Sequence, residues 1–279
     1  MAAFALLNGR PTDSITVADR GLAYGDGLFE TIKVIDAHPQ FLVLHLARLT
    51  RGCARLDIRL DVIQLCTEIG QLFANHSASL RDGVLKIIIT RKAFGRGYQP
   101  QVNTSGERLL IFYPQIFIQP EPLSTGVQVR LCRQRLAEQP RLAGIKHLNR
   151  LEQVLARAEW SDPTIAEGLM LDQGSRLIEG TMSNVFLVRD GRIYTPRLQR
   201  CGVAGIVREL ILQQMSDCAP IREDDLSVDD LLAADEVFLS NSLIGIWPVL
   251  KIDCLHKRRG DVTIAVQQAF QRLCLQEPS

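Results

Sequence analysis

The chain has 279 residues, of which 46% are hydrophobic and 23% charged, with a formal net charge of +1. That balance is close to the average for globular domains and excludes disordered and fibrous classes. Charges of both signs are interspersed, so there is no basic footprint for nucleic acid or an anionic membrane, and a small-molecule substrate is the default expectation.

The length predicts two domains of about 100 to 150 residues each. The seven cysteines, Cys53, Cys66, Cys132, Cys201, Cys218, Cys254 and Cys274, are odd in number and scattered, with no metal-ligand spacing. They are expected to be reduced core thiols, and no metal is expected. The opening "MAAFALLNGR" lacks a basic lead and its apolar run stops at Asn8-Gly9, unlike a signal peptide. No apolar run approaches the roughly 20 residues needed to span a bilayer, so a cytoplasmic protein is expected.

In chain order, "FALLNGR", "GLFETIKVID" and "QFLVL" have the pattern of strands, with turns at Asn8-Gly9 and Asp36 to Pro39. Leu46, Leu49, Cys53 and Leu56 then form one helical stripe, and a second helix starts at Asp61. "GVLKIIITR" and "ERLLIFYPQ" are further strands, joined by "KAFGRGYQPQVNTSG", a loop long enough to suggest a function. The prolines of "YPQIFIQPEPLSTG" mark an interdomain connection, so 1–118 is expected to be a smaller N-terminal domain, 119–123 a linker and 124–279 a larger C-terminal domain.

In the second domain "VQVRLCRQR" alternates as a strand. A helix is expected from near His147, with Leu148, Leu151, Val154, Leu155 and Ala158 on one face. Strands follow in "EGLMLD", "RLIEG" and "SNVFLVRDGRIYTP", then a helix in "VAGIVRELILQQM", strands in "DEVFLSNS" and "LIGIWPVLKID", and a closing helix in "VTIAVQQAFQRLCLQ". Strand meanders mixed with helices predict an α/β (α+β) fold.

Several residues could carry chemistry. Lys146 stands at the expected helix start, where unpaired N–H groups and the positive dipole end disfavour an ammonium. By itself it is most simply a solvated surface lysine; functionally it suits a neutral, nucleophilic amine for Schiff-base chemistry. Gly202 and Gly205 before a helix, and the run Ser240, Asn241 and Ser242 after a strand, are ordinary turn residues or two anion cups. Glu179 is a solvated turn carboxylate or a buried anion opposite a cationic ring nitrogen. Gly21, Gly25 and Gly27 around Tyr24 lack the Gly-x-Gly-x-x-Gly spacing, so a dinucleotide fold is not indicated. A lysine amine, a carboxylate and anion cups together make the set that pyridoxal 5′-phosphate needs for its aldehyde, ring nitrogen and phosphate.

The ordered segments "DRGLAYGDGLFET", "HLARL", "GRGY", "AGIKHLNRLEQVL", "EGTMSNVFLV", "GVAGIVREL" and "LSNSLIGIWPV" resemble the fold-type IV pyridoxal-phosphate family over nearly the whole chain. That family holds branched-chain aminotransferases, D-amino-acid aminotransferases and aminodeoxychorismate lyases. The resemblance implies a two-domain homodimer with the active site between the domains and near the subunit interface. It implies that Lys146 is the catalytic Schiff-base lysine, Glu179 the partner of the pyridine nitrogen and Arg48 a phosphate-binding arginine. The amides of Gly205 and Ile206, with the hydroxyl of Ser242, would complete the phosphate cup. Tyr24, Phe29 and Thr31 would line the cofactor and substrate side, and Arg96 and Tyr98 would approach a substrate carboxylate. Leu151 stands in the region where branched-chain aminotransferases commonly carry a tyrosine, which leaves Asn149 as the candidate contact to the cofactor's phenolic oxygen.

"GRGY", "AGIKHLNRLEQVL" and "YTPRL" are most similar to the lyases of the family. This implies a β-elimination that releases p-aminobenzoate and pyruvate in folate biosynthesis, with Thr31 or Lys146 delivering a proton to the leaving group. An aminotransferase of D-amino or branched-chain acids shares every cofactor residue, and a non-catalytic binding protein of the same fold is the reading from another class.

Overall fold

The computed structural model describes residues 4–74, 81–92, 97–101, 104–114 and 125–277. The chain divides into two units, Met1–Phe117 with Ile145–Asn149, and Ile118–Gly144 with Arg150–Pro278. The linker expected at 119–123 lies outside the described residues. The segment Ile145–Asn149, expected in the second domain, groups with the first unit.

In the first unit, β1 (Phe4–Leu7), β2 (Arg10–Pro11), β3 (Gly27–Ile35), β4 (His38–Pro39), β5 (Gly83–Arg91) and β6 (Gly106–Pro114) form an antiparallel sheet in the order β2-β1-β6-β5-β3-β4. Alternation along the strands buries Leu28, Ile32 and Val34 of β3, Leu85, Ile87 and Ile89 of β5, and Leu110 and Phe112 of β6. Two helices supply the matching stripes: Leu46, Leu49 and Cys53 of α2 (Leu42–Arg55), and Leu65, Ile69 and Leu72 of α3 (Val62–Ala74), are buried. A short helix α1 (Arg20–Tyr24) precedes β3; Asp19 caps it by accepting from the Leu22 amide, and Gly25 ends it at φ 65°. The glycine cluster around Tyr24 is therefore a capped helical turn.

"QFLVL" is not a strand. Phe41 turns the chain at φ 53° and α2 begins at Leu42, because the apolar residues from Leu42 onward continue the helical stripe.

In the second unit the order is β12-β11-β10-β13-β14-β7-β8-β9, with β15 (Leu255–His256) also pairing β14. The strands are β7 (Val127–Leu136), β8 (Ile165–Asp172), β9 (Leu177–Gly180), β10 (Asn184–Arg189), β11 (Arg192–Pro196), β12 (Ile221–Asp224), β13 (Glu236–Asn241) and β14 (Gly245–Ile252). Strands β10 and β13 are buried on both faces. Val185, Leu187, Val237 and Leu239 join one core with Val249 and Leu169, while Phe186, Val188 and Phe238 join another with Val207, Ile211 and Val266. The latter three belong to α5 (Ile206–Gln214) and α7 (Asp261–Gln276). A further helix, α6 (Val228–Ala233), starts with a Ser227–Asp230 capping box.

The helix expected from His147 begins at Leu151 instead, as α4 (Leu151–Arg157). The residues before it are drawn into pairing with β3: the Phe29 amide donates to the Lys146 carbonyl at 2.9 Å and the Leu148 amide to the Gly27 carbonyl at 3.0 Å. Their backbone groups are thereby used by a strand partner. The expected apolar face is not buried either: Leu151 is 74% exposed, and Val154 and Leu155 are exposed too.

All seven cysteines are free. Cys53, Cys132 and Cys201 are core thiols whose burial pushes their pKa up to about 12, whereas Cys66 and Cys254 are exposed, contrary to expectation. Among the described residues no helix is long and apolar enough to cross a membrane, and no cluster of His, Cys, Asp or Glu side chains could hold a metal ion.

Candidate active site

Alternation along β3 sends Phe29 and Thr31 to the face opposite Leu28, Glu30 and Ile32. His147 bridges Leu28 as an isolated antiparallel pair. The Lys146 ammonium lies over the Phe29 ring, 4.3 Å from its centroid. Lys86, the cross-strand partner of Thr31, places its own ammonium 5.5 Å from the same ring. The Lys146 charge therefore lies against an aromatic face beside an extended segment, and the helix-dipole argument does not apply.

Behind that face, Glu30 is enclosed by α2. Arg48 donates from Nε to Glu30 Oε1 at 2.8 Å and from Nη2 to Oε2, and His45 Nδ1 lies 2.6 Å from Oε2. Burial raises the Glu30 pKa, but the charge and hydrogen bonds of Arg48, with the hydrogen bond of His45, outweigh it and bring it down to about 2. Burial pushes the His45 pKa down despite Glu30. A neutral His45 facing an ionised Glu30 must carry its proton on Nδ1. Arg48, expected to bind a phosphate, thus has Nε and Nη2 bonded to Glu30.

Asn149 donates from Nδ2 to the Gly25 carbonyl at 3.1 Å, so its amide ties the turn after α1. Tyr24 accepts from the Gly97 amide at 3.3 Å and packs 5.3 Å from the Tyr98 ring, with Tyr98 84% exposed. Arg96 lies outside the described residues.

In the second unit Glu179 is 4% exposed on β9, and its Oε2 accepts from the Val203 amide at 2.8 Å. Gly202 reaches this geometry at φ 85°. Gly205 is the N-cap of α5 and Ile206 its first residue. The Asn184 amide donates to the Val203 carbonyl at 2.9 Å, and its Oδ1 would stand 2.0 Å from a Cβ built on Gly205. Ser240 pairs across the strands with Asn184, and its buried hydroxyl has no hydrogen-bond partner among the described residues. Ser242 sits in the following turn, which Asn241 Oδ1 fixes by accepting from the amides of Leu243 and Ile244.

These groups fit the cofactor they were expected to hold. A helix N-terminus opened by a glycine, beside a hydroxyl with an unused donor, suits a phosphate. A buried carboxylate that accepts from the Val203 amide suits a protonated ring nitrogen.

Four contributors were not anticipated: Lys86, Glu30, Asn184 and Glu167. Glu167 is 1% exposed and accepts from the amides of Gly168, Thr181 and Met182 and the hydroxyls of Thr181 and Ser183, fixing the turn after Glu179. The available signal was a carboxylate at the head of the apolar run "EGLMLD", which demands buried donors.

Residues 27–252 match the family described as Amino-transferase class IV. The aminodeoxychorismate lyase of Vibrio harveyi is 36% identical over 249 residues, covering 87% of this chain and 89% of the relative. The crystal structure of the 4-amino-4-deoxychorismate lyase from Pseudomonas aeruginosa superposes with a TM-score of 0.90 at 48% identity, covering 96% of this chain and 98% of that one. The branched-chain aminotransferase from Escherichia coli superposes at 0.84 with 25% identity, covering 97% and 94%. The mixed α/β architecture is thus the fold-type IV one, and the match covers most of the chain. The chain belongs to the class IV aminotransferase family and is a pyridoxal 5′-phosphate enzyme.

Proposed function

We propose that this protein is an aminodeoxychorismate lyase, converting 4-amino-4-deoxychorismate to p-aminobenzoate and pyruvate in folate biosynthesis. The observation that carries this reading is the greater identity to the two lyases than to the aminotransferase. Bound pyridoxal phosphate supplies an electron sink for the carbon that bears the substrate's amino group.

The chain's own residues account for the rest. Glu179 keeps the proton on the ring nitrogen, and the α5 N-terminus with Ser240 and Ser242 receives the phosphate. The freed Lys146 amine takes the proton from C4 of the substrate ring, acting as the general base. The C3–O bond then breaks, the enolpyruvyl oxygen leaves with the electron pair, and the ring becomes aromatic. The Thr31 hydroxyl or the Lys146 ammonium returns a proton to the leaving group, which ketonises to pyruvate. Lys86 beside Thr31 gives this face a second cation for a dianionic substrate.

The working form is a cytoplasmic homodimer, and the exposed stripe of Leu151, Val154 and Leu155 on α4 supports an interface there. The domain division expected from the sequence, 1–118 and 124–279, belongs to the same proposal.

The purified enzyme is expected to release p-aminobenzoate and pyruvate from aminodeoxychorismate without an added amino acceptor; a requirement for a keto acid would make it an aminotransferase. Lys146→Ala is expected to lose both that release and the visible absorbance of the lysine-bound cofactor. A variant keeping both would overturn the assignment.

A further inference from the structure

Arg20 uses its guanidinium on one carboxylate and two successive backbone carbonyls. Nε donates to Asp26 Oδ2 at 2.8 Å, Nη1 to the Gly97 carbonyl at 3.0 Å and Nη2 to the Tyr98 carbonyl at 3.2 Å. The side chain is 6% exposed, and its guanidinium lies 4.9 Å from the Tyr24 ring centroid. The Tyr24 hydroxyl meanwhile accepts from the Gly97 amide, and its ring packs on Tyr98. A planar fork that closes two successive carbonyls sets the direction of the chain passing over it, which a point charge cannot do.

The same stretch holds Lys146 from the other side. The Gly25 carbonyl accepts from Asn149, the Gly27 carbonyl accepts from the Leu148 amide, and the Phe29 amide donates to the Lys146 carbonyl. Residues 20 to 29 therefore form one template, with the Gly97–Tyr98 turn hooked to its helical end and the Lys146 segment paired to its strand end. Gly97 and Tyr98 directly follow Arg96 in the chain.

A built-in comparison stands beside it. Arg91 donates from Nε to the same Asp26 Oδ2 at 2.9 Å and is equally buried, but its Nη1 and Nη2 hold the carbonyls of Asp57 and Leu56. Both arginines neutralise Asp26; only Arg20 reaches the Gly97–Tyr98 turn.

We propose that Arg20 is a positioning residue for substrate: by fixing the Gly97–Tyr98 turn against the template that carries Lys146, it sets KM for the anionic substrate and takes no part in bond breaking. The substrate's identity rests on the function proposed above.

The test compares the holoenzyme with Arg20→Lys and Arg91→Lys. Arg20→Lys keeps a cation near Asp26 but loses the fork, so KM for aminodeoxychorismate rises about tenfold, with kcat within about twofold and the visible cofactor absorbance unchanged. Hydrogen exchange in a peptide covering Gly97–Gln101 quickens. Arg91→Lys lowers the melting temperature but leaves KM within about twofold and that exchange unaltered.

The proposal is overturned if Arg20→Lys leaves KM unmoved, if Arg91→Lys raises KM equally, or if Arg20→Lys loses the cofactor absorbance. Should Arg20→Lys not fold, Tyr24→Phe removes only the hydroxyl that accepts from Gly97; a KM rise of about threefold with faster exchange supports the hook, and no change in either refutes it. If the wild-type enzyme needs a keto acid, the proposed function fails. The Arg20 and Arg91 comparison then runs on the amino acid the enzyme uses, with the same outcomes deciding it.

Discussion

Glu30 is ionised while buried because His45 and Arg48 face it from adjacent turns of one helix. Its value of about 2 lies below the ordinary 4.5, so it stabilises the fold above pH 4.5, and that stabilisation is lost as pH falls toward 2. The shift corresponds to roughly 3 kcal/mol at neutral pH. His45 acts in the same direction over a higher window: its pKa is lowered from 6.5, so the unfolded chain binds a proton that the folded chain refuses as pH drops below 6.5. The melting temperature is expected to fall on acidification from pH 7, first through His45 and then through Glu30. Glu30→Gln is expected to be less stable at pH 7 by about 3 to 5 kcal/mol, since Arg48 loses its buried counter-charge, and to show a smaller loss between pH 4.5 and 2. Denaturation followed across pH checks both.

Gly205 is argued from space rather than torsion. Its φ of −68° suits any residue, but an added Cβ would lie 2.0 Å from Asn184 Oδ1, an amide already tied to the Val203 carbonyl. Gly205→Ala is expected to cost about 1 to 3 kcal/mol and to weaken cofactor retention, measured by melting and by equilibrium dialysis of pyridoxal phosphate. Gly205 and Glu179 were legible as single residues in the sequence. Ser240 was a candidate through its run with Asn241 and Ser242, but Asn184 was not assigned, because the register that pairs it with Ser240 is set between strands more than fifty residues apart.

At the scale of elements, three-and-four spacing located α2, α3, α5 and α7, and it located the apolar stripe of α4. It could not tell what covers that stripe. Periodicity reports that a face is apolar, and burial depends on a partner surface that local pattern does not encode. The proposed dimer gives a direct check: Leu151→Glu with Leu155→Glu is expected to yield a folded protein of about 31 kDa by sedimentation, against twice that mass for the wild type. A double variant that stays dimeric would move the interface elsewhere. "QFLVL" illustrates the opposite ambiguity, since a short apolar run fits a strand or a helix start equally well until Phe41 turns the chain into α2.

Across the whole molecule, local spacing and the order of motifs were enough to determine mixed α/β sheets, the family and the cofactor, and to single out Lys146, Glu179 and Gly205 as candidates. These depend on residue type and position along the chain, which sequence carries directly. Tertiary structure alone decided which groups those residues meet. It took Lys146 out of a helix and laid it against Phe29, turned Arg48 toward Glu30, directed Asn149 to Gly25, and joined Arg20 to a turn far along the chain. Each of these partnerships follows from strand register and helix packing, which bring distant residues within hydrogen-bond reach, and no period of 2 or 3.6 contains that information.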